Sequence, residues 1–136
     1  MLACGVDMIA VARMAAAVER KGERFLRRVF TEAERRQCGG PQSSLAARWA
    51  AKEATAKALG SGIGDVAWRE IEVLSDARGA PVLHLHGAAG RLAEARGLTA
   101  WAVSLTHDDG VAMAFVVAMR AVVASGGNDQ QDTIEE

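Results

Sequence analysis

Aromatic residues, prolines and cysteines are scarce in this sequence. Its 136 residues include three Phe, three Trp and no Tyr, with only two Pro and two Cys. Two cysteines do not make a disulfide framework, so we expect Cys4 and Cys38 to be packing residues of a reduced, cytoplasmic protein. No apolar run is long enough to span a membrane and no segment resembles a signal peptide, so no membrane association is expected.

Hydrophobic residues make up 50% of the chain, and alanine supplies many of them. The length fits one domain with a sizeable core, in which small side chains let helices pack closely. We expect this domain to cover residues 1–122. Residues 123–136 have no apolar period and are expected to form a disordered acidic tail.

Charge is distributed unevenly along the chain. Residues 1–57 carry 11 Lys or Arg against 6 Asp or Glu, whereas residues 58–136 carry 5 against 11. Either the N-terminal half binds an acidic protein or a phosphorylated molecule, or its basic surface balances the acidic half. Nucleic-acid binding is not expected, because the basic segment has no interleaved aromatics and the whole chain is not basic.

The apolar periods predict an α+β fold, with an N-terminal strand and helices followed by a mostly antiparallel sheet with a short helix. The predicted helices include an Ala-rich one over residues 48–59, which Ser43 or Ser44 can cap and Gly60 can end. The other predicted helical segments are residues 11–19, 23–29 and 87–96. The predicted strands are residues 2–9, 68–74, 82–86, 99–106 and 111–119, with turns at 76–79 and 107–110.

Asp7 lies near the end of the first predicted strand, where a carboxylate is costly to bury unless something pairs with it. It is either the N-cap of the following helix or a ligand for a cation. Thr31 and Glu34 have the spacing of a capping box, which favours a structural over a catalytic role for Glu34.

The long helix carries two charged pairs at a spacing of four residues. Glu53 and Lys57 share one face, and Arg48 and Lys52 form a second, basic pair. These charges are either a solvated surface or half of a site for a metal and phosphates. Two carboxylates from separate elements, Asp7 and Glu53, with no Cys or His beside them, suit magnesium better than zinc.

Three further features carry weaker signals. The loop Gly60–Gly64 lacks the spacing of a P-loop, so we expect it to let the backbone pass close to a ligand. His84 and His86 have no third ligand nearby, which argues against zinc. His107 is expected at a hairpin tip, where it could join Arg48 and Lys57 in neutralising phosphate charge.

Four blocks of sequence occur in this order: Gly5-Val6-Asp7, Phe30-Thr31-x-x-Glu34, Arg48-Trp49-Ala50-Ala51-Lys52-Glu53-Ala54-x-x-Lys57 and Ser104-Leu105-Thr106-His107. Together they resemble the holo-acyl carrier protein synthase family, the small 4′-phosphopantetheinyl transferases. The resemblance covers roughly residues 2–120, and one difference from the family pattern is Ala3 in place of a glycine two residues before Gly5.

The resemblance implies transfer of the phosphopantetheine arm of coenzyme A to a serine of an apo acyl carrier protein, with release of 3′,5′-ADP. By motif, Asp7 and Glu53 would hold magnesium, and Glu53 and Lys57 would be the catalytic residues. Lys57 would contact the pyrophosphate, and either Glu53 or a metal-bound water would take the serine proton. The residues implied in binding coenzyme A are Arg48, Lys57, Gly60, Gly62 and His107.

The same resemblance implies a homotrimer with active sites between subunits, and an acidic carrier protein of fatty acid or polyketide synthesis as partner. The docking surface would consist of Arg13, Arg20, Arg24, Arg27 and Arg28. Two other functions compete with this one: a magnesium-dependent hydrolase of nucleotide pyrophosphates that uses the same carboxylates, and a non-enzymatic module that binds an acidic protein.

Overall fold

A computed structural model describes residues 1–122, and the predicted tail over residues 123–136 lies outside the described residues. The fold is α+β, as predicted. A 3₁₀ turn, Trp68–Glu70, directly precedes the second strand. In chain order the elements are β1 (Leu2–Ala10), α1 (Val11–Val29), α2 (Glu32–Cys38), α3 (Gln42–Leu59), β2 (Ile71–Ser75), β3 (Pro81–Leu85), α4 (Gly87–Ala95), β4 (Ala100–Asp108) and β5 (Val111–Met119).

The strands form two antiparallel sheets. One has the order β1-β5-β4, and the other is the β2-β3 hairpin. Helix α3 lies between them, because it contacts all three strands of the first sheet and β2 of the second. Gly5 is required for this packing, since a Cβ at that position would collide with the carbonyl group of Ala54. Ala3, the difference from the family pattern, leaves that contact intact.

The structure confirms most of the predicted helix breaks, ends and caps. Gly22 interrupts α1 with φ 63° and ψ −149°, and Gly60 ends α3 with φ 71°. Thr31 and Glu34 form the predicted capping box at the start of α2. The predicted cap of α3 is wrong, because the helix begins earlier, directly after Pro41, and has no side-chain cap.

The second half of the chain differs from prediction in two places. The strand predicted from residue 68 begins only at Ile71, because the 3₁₀ turn occupies the preceding residues. His107 does not lie in a hairpin turn but within β4, opposite Ala112. The reversal is made by Asp109 and Gly110, whose φ angles of 48° and 74° suit a two-residue hairpin turn.

Among the helices of residues 1–122, none is both long and apolar enough to cross a bilayer.

Candidate active site

One charged flank of α3 faces β1 and brings together three of the predicted site residues. Lys57 Nζ donates a hydrogen bond to the Val6 carbonyl oxygen at 2.9 Å and lies 3.3 Å from Asp7 Oδ1. Asp7 does not cap α1, whose N-cap is Ala10 without a side-chain hydrogen bond. The structure therefore rules out the N-cap interpretation of Asp7 and places its carboxylate beside the ammonium group of Lys57.

Glu53 completes this flank and is electrostatically strained. Partial burial raises the pKa of its carboxyl group, the nearby charge of Asp7 raises it further, and Lys57 opposes the shift. Two carboxylates therefore repel each other beside one lysine that is 54% exposed. A cation placed between the carboxylates would relieve this repulsion.

The donor set of this flank fits magnesium. Both carboxylates supply hard oxygen ligands, and they come from different elements, β1 and α3. Within residues 1–122 no group of three or more potential metal ligands occurs. Magnesium commonly binds proteins through only one or two carboxylates and completes its coordination with water and substrate phosphates. Asp7 and Glu53 are the residues that would hold it.

The opposite flank of α3 faces α2 and β2, and its lysine is fully buried. Lys52 Nζ lies 2.7 Å from Glu34 Oε1, and both side chains are 0% exposed. The same ammonium group also donates to the carbonyl oxygens of Trp68 and Ile71. Glu34 Oε2 accepts from the backbone N–H of Val73 at 3.1 Å. This pair is thus completely hydrogen bonded, and it has no open position for a substrate.

Arg48 occupies the same flank one turn earlier and is 5% exposed. Its guanidinium group donates to the Val73 carbonyl oxygen at 3.1 Å and to the hydroxyl groups of Ser44 and Ser75 at 3.0 Å each. Arg48 is therefore anchored before any ligand arrives, which sequence reasoning did not anticipate.

Arg48 nevertheless reaches a cavity of about 360 Å³ that it shares with His107. Hydroxyl groups surround the Arg48 guanidinium and the His107 imidazole there, so the cavity can accept a phosphate group. Asp7, Glu53 and Lys57 do not line it. Sequence reasoning missed its hydroxyl groups, which belong to Ser43, Ser44, Ser75 and Thr106.

The glycine loop begins where α3 ends. Gly60 adopts the left-handed conformation at the helix C-cap, and its N–H group donates to the carbonyl oxygen of Lys57 at 3.0 Å. A Cβ at Gly62 would meet no atom within 4 Å, so the middle of the loop is open to an approaching ligand. The loop follows the same helix end that carries Lys57, which is consistent with a cleft wall and not with an anion cradle.

The five arginines predicted to dock a carrier protein all lie on α1 and are exposed. Three of them border a cavity of about 540 Å³ with an aromatic lining that includes Phe25, Trp49 and Trp68. Arg27 makes only a solvent-exposed pair with Glu23 at 3.5 Å. The bordering arginines are Arg13, Arg20 and Arg28.

Comparisons with known proteins place the chain in a family. The family model described as the 4′-phosphopantetheinyl transferase superfamily matches residues 3–116. The holo-[acyl-carrier-protein] synthase of Herpetosiphon aurantiacus is 56% identical over 126 residues, which covers 88% of this chain and 99% of that protein.

Solved structures agree as well. The crystal structure of the holo-[acyl-carrier-protein] synthase from Neisseria meningitidis superposes with a TM-score of 0.79 at 34% identity, covering 87% of this chain and 98% of that one. The Helicobacter pylori synthase, crystallised in complex with coenzyme A, gives a TM-score of 0.78 at 30% identity, covering 85% and 99%.

The fold is thus that of the phosphopantetheinyl transferases. This chain belongs to the 4′-phosphopantetheinyl transferase superfamily.

Proposed function

We propose that this chain is a magnesium-dependent holo-acyl carrier protein synthase. It transfers the 4′-phosphopantetheine arm of coenzyme A to a serine of an apo acyl carrier protein and releases 3′,5′-ADP. The observation that carries the magnesium requirement is the approach of two carboxylates, Asp7 and Glu53, beside the exposed Lys57. We further propose that it acts in the cytoplasm, for a carrier of fatty acid or polyketide synthesis.

The reaction needs positive charge where the pyrophosphate of coenzyme A is cleaved. The serine oxygen of the carrier forms a new bond to the β-phosphorus, and the bond from that phosphorus to the oxygen of the departing 3′,5′-ADP breaks. Lys57 donates to the phosphoryl oxygens as charge develops on them. Magnesium, when bound by Asp7 and Glu53, neutralises phosphate charge and orients the pyrophosphate.

Glu53 is also the residue of this chain best suited to accept the serine proton. Its burial and the neighbouring Asp7 raise the pKa of its carboxyl group, which makes its carboxylate a stronger base than an ordinary glutamate. Lys57 remains close enough to Asp7 to hold that carboxylate in place, at 3.3 Å. Glu53 would thus serve both as a magnesium ligand and as the base, whereas Asp7 would bind magnesium and Lys57 the phosphates.

The nucleotide end of coenzyme A carries a 3′-phosphate, for which the cavity of Arg48 and His107 is the matching site. A cationic and hydroxyl-lined cavity of about 360 Å³ suits a phosphate and part of the nucleotide. Gly60 and Gly62 would line the path between the two sites, because their loop follows Lys57 along the chain. A Cβ would meet no atom within 4 Å at Gly62, whereas at Gly60 it would meet the Arg96 guanidinium group.

The two halves of the proposed site lie on opposite flanks of α3, which favours a site shared between subunits. Glu53 and Lys57 face β1, whereas Arg48 faces β2. One coenzyme A would then touch the carboxylate flank of one subunit and the Arg48 cavity of its neighbour. Two chains would have to be present for one complete site.

The sheet surface supports association of subunits. The face of β1 and β5 that turns away from α3 exposes a band of large apolar side chains, which monomeric proteins seldom leave uncovered. We propose that other copies of this chain cover it in a homotrimer. The band includes Leu2, Val6, Met8, Phe115 and Met119, which are between 46% and 71% exposed.

The carrier protein would dock on α1. Acyl carrier proteins are acidic, and five exposed arginines, Arg13, Arg20, Arg24, Arg27 and Arg28, provide complementary charge. The aromatic cavity that they border could receive an apolar side chain of the carrier.

A mass-spectrometric transfer assay tests the proposed activity. The protein is incubated with coenzyme A, magnesium and several apo acyl carrier proteins, and we expect the mass of phosphopantetheine to appear on the carrier. The absence of this mass on every carrier from the host would contradict the proposal. Release of 3′,5′-ADP without any carrier would favour the competing hydrolase instead.

Complementation tests the shared site. We expect Glu53→Gln and, at coenzyme A concentrations well below KM, His107→Ala to be impaired when each is made alone, and a co-expressed mixture of the two to recover activity under the same conditions. Recovery occurs because the intact Glu53 of one chain meets the intact His107 of another. A mixture no more active than its components, with the oligomer intact by sedimentation, would place the whole site in one subunit.

A further inference from the structure

We propose that the buried Lys52–Glu34 pair is a positioning device that sets the rotation of α3 about its axis and so aims Glu53 at Asp7. In this inference, which rests on the proposed magnesium site, Lys52 is a positioning residue and touches no substrate. The sequence offers no hint of it, since Lys52 and Lys57 look equally exposed on an Ala-rich helix.

Apolar packing alone does not define the rotation of α3. Apart from Leu45, Trp49 and Leu59, the apolar side chains that α3 buries are all alanines and lie on nearly every side of the helix, so most of its apolar contacts would be similar after a turn about its axis. Successive residues of a helix are about 100° apart, so Lys52 and Glu53 point to different sides. A rotation of that size would replace the carboxylate facing Asp7 by a neighbouring side chain.

The Lys52–Glu34 pair prevents such a rotation because its bonds reach three separate backbone segments. Lys52 Nζ binds the carbonyl oxygens of Trp68 and Ile71 as well as Glu34 Oε1. Glu34 in turn accepts from the N–H groups of Thr31, at 2.9 Å, and Val73, at 3.1 Å. The capping residue of α2, the 3₁₀ turn and β2 are thus all tied to one position of α3.

The network continues outward and fixes its own far end. Thr31 Oγ1 donates to Glu72 Oε2 at 2.5 Å, and His86 Nε2 lies 3.1 Å from Glu72 Oε1. Glu72 is only 13% exposed, so few water molecules compete for these bonds. Lys52 therefore engages a preformed partner and not a mobile surface carboxylate.

A buried ion pair is not required to hold these elements together, because well-packed apolar residues can often replace such a pair without loss of stability. Apolar residues would not, however, reproduce the directional hydrogen bonds of the Lys52–Glu34 pair. This distinction separates a positioning role from a merely stabilising one.

The double variant Glu34→Gln with Lys52→Met tests the inference, because it removes both charges and leaves neither unpaired. Glutamine can still accept a backbone hydrogen bond and methionine fills the space of the lysine. We expect magnesium affinity, measured by titration calorimetry on the coenzyme A complex, to fall about tenfold, as for residues that support metal ligands. We expect kcat to fall with it while KM for the carrier protein stays unchanged.

The matched control removes the same kinds of charge from the exposed pair Glu32–Arg36, which is 3.9 Å apart, as Glu32→Gln with Arg36→Gln. This control should bind magnesium like the wild type. Unchanged magnesium affinity and kcat in the buried double variant, at any melting temperature, would overturn the inference.

Two further outcomes are decided in advance. If the double variant does not fold, Glu34→Gln alone, which keeps Lys52 and its backbone hydrogen bonds, carries the test with the same two results. If the wild-type protein itself binds no magnesium, the proposed metal site fails, and the positioning role fails with it. If the wild type binds magnesium and the buried double variant and Glu34→Gln bind it equally well, only the inference is overturned.

Discussion

The two charged flanks of α3 have the same spacing in sequence and opposite environments in the fold. Lys52 is 0% exposed and lies 2.7 Å from an equally buried Glu34, whereas Lys57 is 54% exposed and lies 3.3 Å from Asp7. The buried flank satisfies each of its charges within the protein. The exposed flank leaves Glu53 beside a second carboxylate, with Lys57 as the nearby cation. The buried flank is therefore saturated by contacts within the protein, whereas the exposed flank keeps groups that can still bind a ligand.

The largest expected effect on stability comes from Lys52→Met alone, which leaves the Glu34 carboxylate buried without its cation. Loss of one partner of a buried pair costs about 3–5 kcal/mol of unfolding free energy. Urea denaturation measures this loss. A loss below about 1 kcal/mol, the size typical of exposed pairs, would erase the difference between the flanks.

Lys57→Met should show the reverse pattern. Its exposed pair with Asp7 contributes little, so unfolding free energy should change by ~1 kcal/mol or less. Transfer should slow roughly 100-fold in kcat, because a group that stabilises developing charge is lost. The mass-spectrometric assay measures the rate, with Arg91→Met on α4 as the control. A Lys57→Met enzyme of normal rate would remove Lys57 from the active site.

His107→Ala should raise KM for coenzyme A about tenfold or more, the value of a lost hydrogen bond to a charged group. The side chain is exposed, so stability should hardly change. His84→Ala, an exposed histidine on β3, is the matched control. Equal KM values for the two variants would show that the cavity with Arg48 does not receive the nucleotide.

Glu53→Gln should raise the melting temperature at neutral pH, although it removes activity. Because folding raises the pKa of this carboxyl group, the ionised form opposes folding at any pH above the raised value. The gain should shrink as the pH falls toward and below 4.5, the usual pKa of glutamate, where the carboxyl group is protonated in both states. Melting curves across this range measure the effect. A variant that is less stable than wild type at neutral pH would contradict the strained carboxylate pair.

The sequence was informative where local rules decide the structure. The gap between the predicted helical segments 11–19 and 23–29 contains Gly22, where α1 is interrupted. Gly60 correctly predicted a helix end, and Thr31 with Glu34 a cap. It was uninformative where distant contacts decide. The 3₁₀ turn at Trp68, whose backbone carbonyl accepts a hydrogen bond from the distant Lys52, takes the place of the first residues of a predicted strand.

The candidate site divides in the same way. Asp7, Glu53 and Lys57 could be grouped from two motifs, and the structure places them on one flank. The different fates of Lys52 and Lys57 could not be predicted, because helical spacing says which residues share a face and not which face is covered. Burial of Lys52 depends on α2 and β2, which are distant in sequence.

The magnesium dependence of transfer, compared between wild type and Asp7→Asn, tests the central claim most directly. We expect the wild type to load an apo carrier with phosphopantetheine in magnesium and to stop when the metal is chelated. We expect Asp7→Asn, folded by circular dichroism, to need far more magnesium or to remain inactive. Transfer by the wild type that continues undiminished in chelator, or an Asp7→Asn enzyme with the wild-type magnesium requirement and rate, would contradict the account.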